Sequence, residues 1–392
     1  MVIIMKFDEE YVKLLKKILS EGVEVENRTG INTIKIPSYN FEFDLSGEFP
    51  ILQTKQMFYR QAIIEMLWIW QMGSNNVNDL HDRNVHIWDE WKIDEDGIYR
   101  IYEPNTIEYD PNKEVPVMDP LSVPISDPFG YQNEIKPKYD EFGNVMTAKS
   151  LIEGKNIKAA KYYGKEFANT IGTAYGFNVN RYQMTKNMEY ILKNKIMDRR
   201  IVNNLFQNEF LRTSVLPPCV YCNEWDVTDG KLNLLVHQRS CDVPLGLPFN
   251  ITQYATFLLM MAQVTNLKPG KISYSIKDAH IYVNQIEAVK EQIRRYNRYE
   301  KLSLLDKDKL IKRKEIINNC LSGKYGKLSD DSRYIFNTDL KIIELIENPE
   351  IPELWLNPDI TSFFDFDNSK DLKDVKVKKY KHMGKLKFPI TQ

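Results

Sequence analysis

Between residues 201 and 282 the chain spells short apolar runs near 201–206, 216–226 and 232–241, an apolar stretch near 250–265, and a further strand-like run, KISYSI. Short runs bounded by turn residues read as strands and the long stretch as a buried helix, so this part is expected to build an α/β fold. Ahead of it, helical spacing covers 7–22, with Tyr11, Leu14, Leu15 and Ile18 on one face and Gly22 as the stop. Alternation in Thr33–Ile36 and Phe41–Phe43 predicts strands, and further helices are expected at about 57–72 and 182–197.

Two stretches break this pattern. Residues 92–171 hold seven of the 18 prolines, from Pro104 to Pro137, among many Asp, Asn and Lys, and read as an irregular insertion. Residues 297–350 are rich in Lys, Asp and Glu, with helical periodicity in KIIELIENPE, and read as a solvated helix pair inserted into a larger fold. These stretches read as insertions at about 92–171 and 297–350, and the number of domains stays open at this point.

With 392 residues, 43% of them hydrophobic, the chain can bury a large core, and 54 acidic against 53 basic side chains leave no excess charge to steer it to nucleic acid. Four cysteines are too few for a disulfide framework, and the start MVIIMKFDEEYVKLLKKIL is amphipathic rather than a signal segment. No uncharged run is long enough to span a membrane, so a cytoplasmic chain is expected, a host's cytoplasm if the chain is viral.

The segment Leu216-Pro217-Pro218-Cys219 fixes the backbone just before a cysteine at the start of a strand, which suits a positioned nucleophile; a small buried hydrophobe is the alternative. Cys219-x-x-Cys222 has no second pair at metal-ligand spacing, so no metal is expected. Gln238-Arg239-Ser240-Cys241-Asp242 is dense in polar groups, and Arg239 beside Ser240 reads either as an anion clamp or as half of a salt bridge with Asp242. Glu65 sits on a helical stripe with Phe58, Ala62 and Ile69, so its carboxylate must pair, for instance with an arginine, or do chemistry. Arg199 and Arg200 read as phosphate ligands or as solvated charges. His280 and Tyr282, two apart, fall on one side of a strand and could hydrogen-bond one ligand, although a lone histidine is commonly structural.

These pieces occur together with Asn27-Arg28-Thr29-Gly30, Glu65-Met66-Leu67-Trp68, Ile87-Trp88-Asp89-Glu90-Trp91, Ala174-Tyr175-Gly176, Gly246-Leu247-Pro248-Phe249-Asn250 and Asp278-Ala279-His280-Ile281-Tyr282. In order and largely in spacing the set resembles the thymidylate synthase family, over about 26–91, 172–296 and the last forty or so residues. The resemblance implies a mixed, twisted β-sheet flanked by helices, with a sheet face forming a homodimer interface. It also implies transfer of a one-carbon unit from 5,10-methylenetetrahydrofolate to C5 of dUMP. Cys219 would add to C6 of the base, Glu65 would move protons through water, and Tyr175 would belong to the catalytic set. Arg28, Gln238, Arg239 and Ser240, with Arg199 and Arg200 in trans, would hold the nucleotide; His280 and Tyr282 would contact the ribose. Asn250 would read the base edge, where an amide both donates and accepts as uracil requires. Lys55, Trp88, Trp91, Asp242 and Gly246 would face the folate. No membrane and no nucleic-acid partner is implied.

The family divides after a shared methylene intermediate on the base, and water access decides between a methyl and a hydroxymethyl product. Val220 follows the nucleophile where synthases usually carry His, Val179 replaces an aromatic, and the chain ends on Thr391 and Gln392 rather than small apolar residues. Trp88 and Trp91 are retained. The departures resemble the deoxyuridylate hydroxymethylases of Bacillus phages whose DNA carries hydroxymethyluracil. Thymidylate synthesis is the alternative, and a silent nucleotide- or RNA-binding relative the alternative of another class.

Overall fold

The computed structural model describes residues 5–27, 29–103, 106–196 and 198–389; Arg28 and the terminal Thr391 and Gln392 lie outside them. The described chain forms two compact units, one running through Ala62 and taking in Val227–Thr361 and the residues from Lys373 on, the other Ile63–Asp226 and Ser362–Leu372.

In the first unit, strands Val23–Val25, Thr33–Asp44, Lys268–Tyr282 and Lys231–Gln238 lie side by side in that order. The two predicted strands at 33–36 and 41–43 are one, paired antiparallel along Lys268–Tyr282 from Lys271 opposite Asp44 to Tyr282 opposite Thr33. Phe41 and Tyr274 face each other in that ladder with rings stacked nearly parallel, 5.5 Å between centres. The short strand Cys241–Asp242 runs parallel to the end of Lys268–Tyr282, setting Asp242 opposite His280. Helix Gly246–Val264 is apolar nearly all round and buries most of its length, as a helix enclosed by its own domain must. Helix Lys6–Glu21 turns Phe7, Tyr11, Leu14, Leu15 and Ile18 into the core and ends before Gly22, as its spacing predicts.

The stretch expected as a second insertion begins inside a helix. Helix Ile286–Ser303 continues through 297, and the added pair is Lys307–Leu321 and Asp330–Glu347, started by the side chains of Asp306 and Ser329. The pair is not merely a solvated face. Ile317, Ile342 and Ile343 are buried, and Asp339, 2% exposed, receives Arg298 and Arg313. Arg295, equally buried, donates to the Tyr334 hydroxyl and to the carbonyls of Thr54 and Gly384, tying the insertion to two other segments of this unit.

In the second unit, Ile201–Asn204 pairs antiparallel with Val220–Thr228, and helices Met184–Asn194 and Gly176–Arg181 flank the chain leading to it. The first insertion is not irregular: Ile98–Tyr102, Ile157–Tyr162, Glu114–Met118 and Thr147–Lys149 form a four-stranded sheet. Ile98, Val117, Ala148, Ile157 and Ala160 make its core. Among the described prolines here, Pro116 lies mid-strand in Glu114–Met118, opposite Thr147, and Pro120 opens the short helical turn Pro120–Ser122. No helix among the described residues is long and apolar enough to cross a membrane.

Candidate active site

In the second unit the site begins at helix Tyr59–Trp70, which presents Glu65 toward the bend at Trp88. The carboxylate accepts a 2.7 Å hydrogen bond from the Trp88 indole nitrogen. Sequence reasoning expected an arginine or chemistry at this position; the indole was not foreseen as a partner. Phe58 lies outside the predicted stripe, half exposed, whereas Ala62 and Ile69 are buried. Trp88 is itself buried and packs edge-on against Trp91 and Tyr175, with ring centres 5.5 and 5.4 Å away.

Tyr175 reaches its place through unusual backbone: φ is +45°, in the left-handed region that costs a bulky residue. Gly176 lets the chain pass there, because a Cβ at this position would stand 1.8 Å from the Ser74 carbonyl oxygen. The Tyr175 hydroxyl then accepts the backbone N–H of Cys219 at 2.9 Å. Cys219 directly precedes strand Val220–Thr228 and is partly exposed, as the two prolines suggest. Cys222, on the strand, has its thiol pushed up to about 11 by burial, which keeps it protonated and unreactive. Val220 and Val179, each 3% exposed, add apolar surface in this unit. Arg199 and Arg200 follow helix Met184–Asn194 and are exposed; Arg200 forks onto Asp198 at 2.7 and 3.0 Å, which holds the Asp198 carboxyl below its ordinary range.

The first unit carries the other candidates, joined by hydrogen bonds. The Tyr274 hydroxyl donates to Gln238 Oε1, Gln238 Nε2 to Asn250 Oδ1, and Asn250 Nδ2 to Gln253 Oε1. The chain fixes which way the Asn250 amide points. Gly246 opens the same helix one turn earlier, where a Cβ would stand 3.7 Å from Asn250 Oδ1. Arg239 and Ser240 occupy the bend before Cys241–Asp242, both partly buried. Ser240 Oγ donates to Asp278, which also meets Lys35 Nζ at 2.9 Å. His280 Nδ1 lies 2.8 Å from the Asp278 carbonyl oxygen, and its ring meets Tyr282 edge-on at 5.3 Å, so both residues do share one side. Burial pulls the His280 pKa down, but hydrogen bonds and charge from Asp278 outweigh it and the net shift is upward.

Asp242 is held by Gln285 Nε2 at 3.1 Å and the Leu245 N–H at 3.2 Å, and burial raises its pKa. Gln285 also donates to the Pro389 carbonyl, so the last described residues are fastened at Asp242. Lys55 is buried, donates to the Pro244 carbonyl, stands 4.5 Å from the centre of the Phe388 ring, and is pushed down to about 7 by burial. Sequence reasoning assigned no role to Asp278 or Gln285. Their signal was only their place beside His280 and after Tyr282.

The thymidylate synthase sequence profile matches residues 9–320. The chain belongs to the thymidylate synthase family. A thymidylate synthase of Clostridium beijerinckii is 30% identical over 98% of both chains, and those of Bacillus subtilis and of Bacillus phage phi3T are each 28% identical over 98% of this chain and 99% of their own. Among solved structures, the thermostable thymidylate synthase A of Bacillus subtilis covers 98% of this chain and 99% of its own at 28% identity, with a TM-score of 0.61. The thymidylate synthase fold, a mixed α/β arrangement of twisted sheets flanked by helices, is therefore the fold of this chain, and the protein is a one-carbon transferase of this family acting on dUMP.

Proposed function

We propose that the protein is a deoxyuridylate hydroxymethyltransferase, making 5-hydroxymethyl-dUMP from dUMP, 5,10-methylenetetrahydrofolate and water. Cys219 adds to C6 of the uracil, which turns C5 into a nucleophile, and Tyr175 steadies the backbone of Cys219. The folate, when bound, supplies the one-carbon unit. Glu65 moves protons through water, with its carboxylate oriented by Trp88. Arg28, Arg239 and Ser240 hold the nucleotide phosphate with Arg199 and Arg200 of the partner subunit in a homodimer, so that binding far from C5 orients the ring. Arg200's fork onto Asp198 would then be exchanged for the phosphate. His280 and Tyr282 contact the ribose, and Gln238 and Asn250 read the base.

A carboxyl whose pKa is raised by burial, such as Asp242 with Gln285 beside it, suits the amide and amino edge of a pterin; Lys55, Trp88, Trp91 and Gly246 complete the folate contacts. The whole chain then forms one catalytic domain with its two insertions, working in the cytoplasm.

The observation that carries the hydroxymethyl reading is the pair of buried valines, Val220 after the nucleophile and Val179 after the Tyr175-Gly176 turn, where synthases carry histidine and an aromatic. Without those two larger side chains, the reaction is left open to water rather than to hydride return. Thymidylate synthesis is favoured by the names of the relatives and by the intact wall of Trp88, Trp91 and Tyr175. Incubation with dUMP and methylenetetrahydrofolate separates the readings. A product one oxygen heavier than dTMP, with no absorbance rise from dihydrofolate, is expected; dTMP with dihydrofolate would overturn the proposal, and turnover undiminished in Cys219→Ala would overturn the nucleophile assignment in either reading.

A further inference from the structure

Outside the residues given a role above, one cluster of metal-ligating side chains lies on the segment that carries Trp88. His81 Nε2 stands 2.5 Å from Asp89 Oδ1, His86 Nδ1 stands 3.2 Å from Asp89 Oδ2, and the two imidazole rings are 4.8 Å apart at 31°. One donor atom from each residue falls within 4.8 Å of the others. Among the described residues no lysine or arginine neutralises Asp89; its ion-pair partners are the two imidazoles.

The backbone makes this juxtaposition by design of the turn. Helix Val77–His81 ends at His81, the chain reverses through Asn84 in the left-handed region at φ +58°, and it returns so that His86 lies beside His81. Arg83 pins the turn, donating to the carbonyls of Asp79 and Asn368. Asp89 then opens the short helical turn Asp89–Trp91.

We propose that His81, His86 and Asp89 bind a divalent transition-metal ion, Zn²⁺ being the best match. Two imidazoles and one carboxylate suit a borderline-soft ion rather than Ca²⁺ or Mg²⁺, which take oxygen ligands. Three protein ligands leave a fourth position for water, with metal–ligand distances of about 2.0–2.2 Å. Around such an ion the donor atoms stand about 3.4 Å apart, so the His81–Asp89 contact must open and the widest separation must close. His86, whose side chain is 59% exposed, has room to move. The ion displaces the hydrogen bonds between the imidazoles and Asp89, and no proton is lost if both rings are neutral. Its effect is on the segment: it clamps His81 to Asp89 and so fixes the approach to Trp88, the partner of Glu65.

The test uses the full chain, stripped with chelator and titrated with Zn²⁺ by calorimetry beside His86→Ala and the double variant H81A/H86A. One Zn²⁺ per chain in the wild type is expected, with affinity at least about tenfold weaker in His86→Ala and no such binding in the double variant. Co²⁺ substitution should give ligand-field bands without thiolate charge transfer, which keeps the four cysteines out of the account, and Cys219→Ser should bind as the wild type does. Equal Zn²⁺ binding by the wild type and the double variant, or none by the wild type, would overturn the proposal. Circular dichroism of the variants, at exposed His86 and partly buried His81, checks that they remain folded.

Discussion

The two units solve different problems with different materials. In the second unit Glu65 and Cys219 stand at either end of a file of aromatic rings, with hydrogen bonds from Trp88 to Glu65 and from Cys219 to Tyr175. In the first unit Gln238, Asn250, Ser240, Asp278, His280 and Asp242 form a web of hydrogen bonds among polar side chains and nearby backbone. A ring wall has few groups that can compete for protons, which suits a nucleophile and a proton carrier; a web fixes many donors and acceptors at once, which suits recognition. The contrast predicts that changes in the first group damage turnover and changes in the second damage binding.

The largest effect is expected from Cys219→Ala, which should lower turnover by at least about 10⁴-fold, as losing a covalent nucleophile does. Equilibrium dialysis should still find dUMP bound nearly as tightly as by the wild type; lost binding would blur the division between the units. Next, Glu65→Gln should reduce kcat by roughly 10²–10⁴-fold while leaving the melting temperature close to that of the wild type, because the amide oxygen still accepts from Trp88. A large drop in melting temperature with modest kinetic loss would make Glu65 a structural group.

On the binding side, Ser240→Ala should raise KM for dUMP about tenfold with kcat nearly unchanged, the scale of one hydrogen bond to a charged partner. A fall in kcat with unchanged KM would break the comparison. The smallest effect concerns stability. Lys55 titrates at about 7 in the folded chain against 10.5 when unfolded, so between those values the unfolded chain binds more protons and Lys55's contribution favours folding increasingly as pH rises. That contribution is complete above 10.5 and is lost as pH falls through about 7. Lys55→Met should therefore flatten the rise, by about 1–3 kcal/mol between pH 7 and pH 9 in urea unfolding. Parallel curves for variant and wild type would show that Lys55 is not desolvated in solution.

Legibility in the sequence followed the range of the forces involved. Helix Lys6–Glu21, helix Gly246–Val264 and the placement of Cys219 ahead of a strand depend on local spacing and on two prolines, and all three could be read directly. The sheet in the first insertion could not, because its strands are short and paired across long loops, and the prolines between them dominate the composition. Alternation in Ile98–Tyr102 was the overlooked signal. In the candidate site, the sequence singled out His280 but not Asp278 as the residue that organises Ser240, Lys35 and His280. An aspartate beside a histidine has no distinctive spacing, and only the folded ladder brings Ser240 to it. The Trp88–Glu65 bond was hidden for the same reason, since twenty-three positions separate its partners.

The grip of Arg295 bears on any attempt to shorten this chain to a minimal enzyme. Helices Lys307–Leu321 and Asp330–Glu347 look like removable cargo, yet excising them would strip Arg298 of Asp339 and Arg295 of the Tyr334 hydroxyl. Arg295 also donates to the carbonyls of Thr54, next to Lys55, and of Gly384, a few residues before Phe388. A trimmed variant would therefore need a new acceptor for each guanidinium, designed before the cut is made.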